Sequence, residues 1–136
     1  LAPAFSRLRV DADVVLCSSS GWAHGVRTTG RKIVYCYNPA RWLYQRRQYA
    51  GRWGGPWLVA GTLGPALRRW DRRQAQRADR YVAISSIVRE RIRRTYGIDA
   101  HLLIPPIGLD PAGIRAPVAG CSDPFVLCVS RLLPYK

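Results

Sequence analysis

The chain has 136 residues, 48% of them hydrophobic, with five Trp, seven Tyr and a formal net charge of +14. That apolar content is enough for a packed core and excludes a disordered polyelectrolyte. No apolar run reaches the roughly 20 residues of a membrane-spanning helix. The charge is almost all arginine, with Lys32 and Lys136 the only lysines. Such an excess points to phosphate-bearing partners (a nucleotide, a lipid headgroup or nucleic acid), set against the plainer reading in which arginines coat solvated helix faces.

The opening segment LAPAF reads as a loop. Asp13–Cys17 (DVVLC) is a strand with a continuous apolar run, typical of a parallel sheet covered on both faces. Ser18-Ser19-Ser20-Gly21 closes it, and Trp22, His24, Val26 and Arg27 continue the loop. Small hydroxyl residues after a parallel strand sit where the ligand crevice of an open α/β sheet lies; the competing reading is an ordinary polar turn. His24 taken alone is more often structural than catalytic. Arg31–Tyr37 is the next strand; Asn38-Pro39 ends it, and Ala40–Tyr44 is a short helical turn carrying Arg41 and Trp42. A Gly-rich loop leads to a long helix from Trp57 to about Arg80, weakened in its first half by Gly61, Gly64 and Pro65. Leu63, Leu67, Trp70, Gln74 and Ala78 mark one face of it, and the block Arg68–Arg80 is the densest in positive charge.

Tyr81–Ile84 is a short buried strand, and Ser85 or Ser86 can cap the helix that follows. Ile87, Val88, Ile92 and Tyr96 recur at helical spacing, and Gly97 stands where a left-handed C-cap is wanted. His101–Ile104 is a second strand, stopped by Pro105-Pro106. Strand, helix and strand make a βαβ crossover. The stretch Ile107–Asp123 lacks a period and reads as a linker, and Phe125–Ser130 starts a new strand. The expected fold class is α/β, a Rossmann-like parallel sheet. The chain reads as a fragment of a longer protein, because it starts without Met and ends soon after a strand. Of its cysteines, Cys17, Cys36 and Cys128 sit in strand-like runs, and with Cys121 they show no metal-ligand spacing. They read as buried reduced thiols of a cytosolic protein, and no signal peptide is visible.

Five segments in register resemble the family-4 retaining glycosyltransferases of the GT-B fold, in a mannosyltransferase-like subset. Ser18–Thr28 (SSSGWAHGVRT) resembles the family's Ser-rich loop ending in Gly-Val-Arg, and Tyr35–Leu43 (YCYNPARWL) its Tyr-Cys-His-x-Pro-x-Arg segment. Asp71 and Asp79–Ser86 (DRYVAISS) resemble the helix and strand before an Asn-Ser turn. Arg91–Asp110 resembles the Arg-Ile…Tyr-Gly…Pro-Pro-x-x-x-Asp signature, and Ser130–Lys136 (SRLLPYK) the opening of the donor domain. Tyr37 and Asn38 depart from the pattern where the family has His, as does Ser85 where it often has Asn.

The resemblance implies two Rossmann-like domains facing across a cleft. Residues 1–106 would end the acceptor-side domain, 107–124 would link, and 125–136 would begin a truncated donor domain. It implies transfer of a sugar such as mannose from a nucleotide-sugar donor to a saccharide or lipid-linked acceptor, with retention, in polysaccharide biosynthesis. No cofactor and no obligatory metal are implied. Arg131 and Lys136 would hold the donor diphosphate, and Ser19, Ser20, His24 and Arg41 would lie near the acceptor, His24 being the candidate catalytic group. The paired glutamates of the family lie beyond this chain, so the fragment alone is expected to be inactive. A lipid-linked acceptor would suit a cytoplasmic protein held peripherally at the inner face of the plasma membrane by its basic helix on anionic lipid. Nucleic acid is not expected as a partner, though a basic polyanion-binding module and another GT-B-like sugar-phosphate enzyme remain the alternative readings.

Overall fold

The computed structural model describes residues 2–45, 57–106, 108, 112 and 120, without the side chains of residues 3 and 57–62. Four strands form one sheet in the order β1 (Val14–Ser19), β2 (Arg31–Cys36), β3 (Arg80–Ala83) and β4 (His101–Leu102), every neighbouring pair parallel. The helices are α1 (Ala2–Arg7), α2 (Arg41–Tyr44), α3 (Trp57–Ala75) and α4 (Ser86–Tyr96), and a 3-10 turn, Ala23–Gly25, lies between β1 and β2. The chain is therefore α/β with an all-parallel sheet, as its alternation of strands and helices predicts.

Register decides the core. Cys17, Val34 and Tyr81 stand side by side on adjacent strands, and Ser19, Cys36 and Ala83 form the next row on the same face. All six are buried. Ala75 of α3 and Val88, Ile92 and Tyr96 of α4 close over them. Both thiols are free, and burial pushes Cys17 up and Cys36 up to about 12, so they act as small apolar groups.

The strand order advances in one direction, so right-handed crossovers put α3 and α4 on the same face. The opposite face has no helix over it among the described residues: Val14 is 55% exposed and Leu16 67%. The described residues therefore cover only one of the two faces that the apolar run of β1 leads one to expect to be covered. A doubly wound sheet covers its second face where the strand order reverses, and these four strands contain no reversal.

Helix α4 forms as its sequence directs. Ser85, in extended backbone, accepts the Val88 N–H at 3.3 Å as N-cap, and Gly97 closes the C-terminus at φ 71°. Three other elements differ from expectation. Ala2–Arg7, which takes in most of the opening segment, is helical, not a loop: Pro3 falls in the first turn, where a missing N–H costs nothing, and Trp70 Nε1 donates to Ser6 Oγ at 3.0 Å. Helix α3 stops at Ala75 instead of about Arg80, because Asp79 is clamped to β2: its N–H donates to the Lys32 carbonyl at 2.9 Å and its carboxylate accepts the Lys32 N–H at 2.7 Å. Strand β4 is two residues long, with Leu103 N–H adding one more bond to the Ala83 carbonyl before Pro105 and Pro106. The linker, the strand Phe125–Ser130 and the domain boundaries lie outside the described residues, apart from isolated positions. Among the described residues no helix is long and apolar enough to cross a membrane.

Candidate functional site

Parallel pairing brings the loops after β1 and β2 to the same edge of the sheet. The Tyr37 N–H donates to the Ser19 carbonyl at 2.8 Å, so the two chains leave the sheet side by side. Ser20 is exposed on the first loop, and Arg41 is exposed where the second loop enters α2. Ser19 is buried, and its hydroxyl serves its own turn, donating to the Gly21 carbonyl and accepting the Gly21 N–H, both at 3.3 Å. The loops are also joined by tryptophans: the half-buried rings of Trp22 and Trp42 meet edge to face at 4.1 Å, and Trp22 meets Trp70 of α3 at 6.4 Å. Asn38, which stands at the position of the departure from the glycosyltransferase pattern, is buried and accepts from Arg91 Nη1 at 2.7 Å. A groove of about 260 Å³ opens there, lined by Asn38, Pro39, Tyr44, Arg91 and Arg94.

His24 is placed elsewhere. It is 2% exposed, under α3, where its Nε2 lies 2.9 Å from Oδ1 of the fully buried Asp71. The two atoms are not aligned for a hydrogen bond, and each is buried without another partner among the described residues. Oδ2 of Asp71 accepts from Tyr44 Oη at 2.8 Å and from Tyr96 Oη at 2.9 Å. Rings of Trp70 and Tyr96 pack beside the imidazole at centroid distances of 6.2 and 6.0 Å. Burial first, and then the Asp71 charge, push the Tyr44 and Tyr96 phenols well above their ordinary value, so both remain donors. A histidine so enclosed has no surface on which to meet an acceptor hydroxyl. It is corrected from a group lining the edge to a member of a buried polar cluster that ties the turn Ala23–Gly25, α2, α3 and α4 together.

Of the sequence-predicted residues, the structure brings Ser20 and Arg41 to one edge, turns Ser19 inward and buries His24. Arg131 and Lys136 lie outside the described residues. Sequence reasoning missed Asp71, Tyr44 and Tyr96 as a unit, because an aspartate within an arginine block reads as solvated. The available signal is spacing along α3. Among its described residues from Leu63 on, Gly64, Asp71 and Ala75 are the buried positions, while Leu63 is exposed, so the inward face is rotated by about one residue from the predicted stripe. Among the described residues, no group of His, Cys, Asp and Glu is arranged to hold a metal ion. The chain has no significant match to a family model, to a curated protein or to a solved structure.

Proposed function

We propose that this chain is the acceptor-side part of a nucleotide-sugar-dependent retaining glycosyltransferase of the GT-B fold. The observation that carries the reading is the convergence of the Ser-rich loop and the Asn-Pro-Ala-Arg loop at the C-terminal edge of a parallel sheet, joined by the Trp22–Trp42 contact. That edge is where open α/β sheets present ligands. Exposed Ser20 and Arg41 would contact the saccharide or lipid-linked acceptor, and Arg41 can grip two phosphate oxygens of a lipid diphosphate. His24 acts as a positioning residue, holding the first loop against the helices.

In the reaction the bond between the anomeric carbon and the donor's β-phosphate oxygen breaks, and the acceptor oxygen forms a new bond on the same face while its proton passes to the departing phosphate oxygen. Negative charge collects on the departing diphosphate. Arg131 and Lys136 are the cations proposed to meet it, in the part of the protein that would complete the cleft. The test is transfer by the full-length protein from a panel of nucleotide sugars to lipid-linked and free saccharide acceptors. Transfer is expected, and Arg131→Ala or Lys136→Ala should slow it by on the order of 10²-fold. A protein that transfers no sugar yet binds DNA or RNA at physiological salt would replace this reading with the polyanion-binding one.

A further inference from the structure

At the opposite edge of the sheet, a polar groove of about 480 Å³ lies between the start of β2 and the last turn of α3. It is lined by Arg27, Thr28, Gly30, Lys32, Gln74 and Arg77, together with Val26. Lys32 is the unusual member. It is 5% exposed, and its ammonium donates to the carbonyl oxygen of His24 at 3.0 Å. That acceptor is neutral. Among the described residues no carboxylate pairs with Lys32, Arg27 or Arg77. The nearby Asp79 carboxylate is turned to the backbone N–H of Lys32. A buried ammonium without a counter-ion is costly, and the cost falls when an anion completes the site.

The surroundings fit an oxyanion. Gly30 approaches the preceding segment so closely that a Cβ there would fall 2.0 Å from the Ala12 carbonyl oxygen, which fixes the groove floor. Thr28 Oγ1 accepts the Gly30 N–H at 3.0 Å, leaving its own proton to donate. Gln74 adds an amide. Two guanidiniums, one ammonium, a hydroxyl and an amide form a donor set that suits a multiply charged tetrahedral anion better than a single carboxylate. Burial draws the Lys32 ammonium below its ordinary range; Cys17 and Asp79 oppose this and Arg77 adds to it, so the nearby carboxylate does not offset the cost of burial.

We propose that this groove binds a phosphate group, held by the ammonium of Lys32 and the guanidiniums of Arg27 and Arg77. The site lies away from the edge proposed for sugar transfer and does not depend on that reading. A free phosphate and the headgroup of a phosphomonoester lipid present the same chemistry, and the experiment separates them. The intact protein is titrated with inorganic phosphate by calorimetry. In parallel it is floated with phosphatidylcholine vesicles, with and without phosphatidic acid. Arg27→Gln and Arg77→Gln keep exposed positions and should fold; Lys32→Gln is checked by circular dichroism first. Arg93→Gln removes the same charge from an exposed, Glu90-paired site on α4.

Saturable phosphate binding that Arg27→Gln and Arg77→Gln each weaken about tenfold, and Arg93→Gln leaves unchanged, establishes a free-phosphate site. Recruitment by phosphatidic acid alone, with the same pattern across variants, assigns the groove to a lipid headgroup. Equal weakening by Arg93→Gln, or binding in neither arm, overturns the proposal, since net charge or nothing at all would then account for the result.

Discussion

Replacing Asp71 should be the most costly single change among the polar residues. The carboxylate is fully buried and holds two phenols on one oxygen, with His24 against the other. In Asp71→Ala the hydroxyls of Tyr44 and Tyr96 lose their acceptor. Each buried donor left unsatisfied costs about 1–3 kcal/mol, and Tyr44, being only partly buried, recovers some of this from water. With two such donors, Asp71→Ala is therefore expected to lose about 2–5 kcal/mol, a large share of the roughly 5–15 kcal/mol that a domain possesses.

Asp71→Asn separates charge from hydrogen bonding. Both phenols bond the same oxygen, so one amide carbonyl can accept both. Bonds to a neutral acceptor are about half as strong as bonds to a charged one, which gives an expected loss of about 1–2 kcal/mol. The assay is urea unfolding of the protein followed by tryptophan fluorescence and circular dichroism, comparing midpoints at unchanged slope. An Asp71→Ala loss under about 0.5 kcal/mol would match an ordinary surface substitution and refute the buried cluster. Equal losses in the two variants would show that the charge beside His24, not the phenol bonds, carries the effect.

The tyrosines give a pH prediction. Burial raises Tyr44, Tyr81 and Tyr96 above the ordinary value of 10.0, so the folded state favours their neutral forms. Their contribution is complete below pH 10, and it is lost as the pH rises beyond it towards the folded-state values. An ultraviolet tyrosinate titration should leave these three of the seven tyrosines unionised until the protein unfolds. Maleimide labelling at mildly alkaline pH, read by peptide mass spectrometry, should spare Cys17 and Cys36 in the native protein and modify both in denaturant. Arg69, Arg72 and Arg73 of α3, and Arg77 just after it, are exposed without carboxylate partners among the described residues. The full-length protein should therefore float with phosphatidylglycerol vesicles at low salt and be released at high salt, each basic residue adding about 1 kcal/mol. Equal recovery on neutral vesicles would remove electrostatic docking.

The parallel sheet was legible because its signals are local. Apolar runs of strand length, a Ser cap, a Gly C-cap and a Pro-Pro stop act within a few residues, and α4 takes both of its caps as its sequence directs. The extent of α3 was not legible, since the Asp79–Lys32 clamp that ends it spans 47 positions in sequence. The same holds for the cluster around Asp71. Its partners come from residues 24, 44 and 96, on three other elements, and no periodicity announces that they meet. The exposed Val14 and Leu16 show the converse limit: a continuous apolar run predicts cover on both faces, but topology decides whether the described chain supplies it.

The placement of His24 changes what a histidine in the Ser-rich loop means for this protein. Its side chain packs against Trp70, Tyr96 and Asp71, and its carbonyl oxygen holds Lys32. It thus lies between two regions: the edge loops, through the Trp22 turn and Tyr44, and the basic groove, through Lys32. A general base must reach the proton that it removes, and an imidazole enclosed on all sides does not. What it can do is fix the backbone of residues 22–25. The chain runs from β1 to β2 through only a 3-10 turn, with no crossover helix to dock, and Gly25 sits so close to Trp70 that an added Cβ would lie 2.9 Å from the indole. A connection that short has few contacts of its own. The buried polar cluster supplies those contacts, so the positions of Ser20 on one edge and Arg27 on the other both follow from how His24 is held.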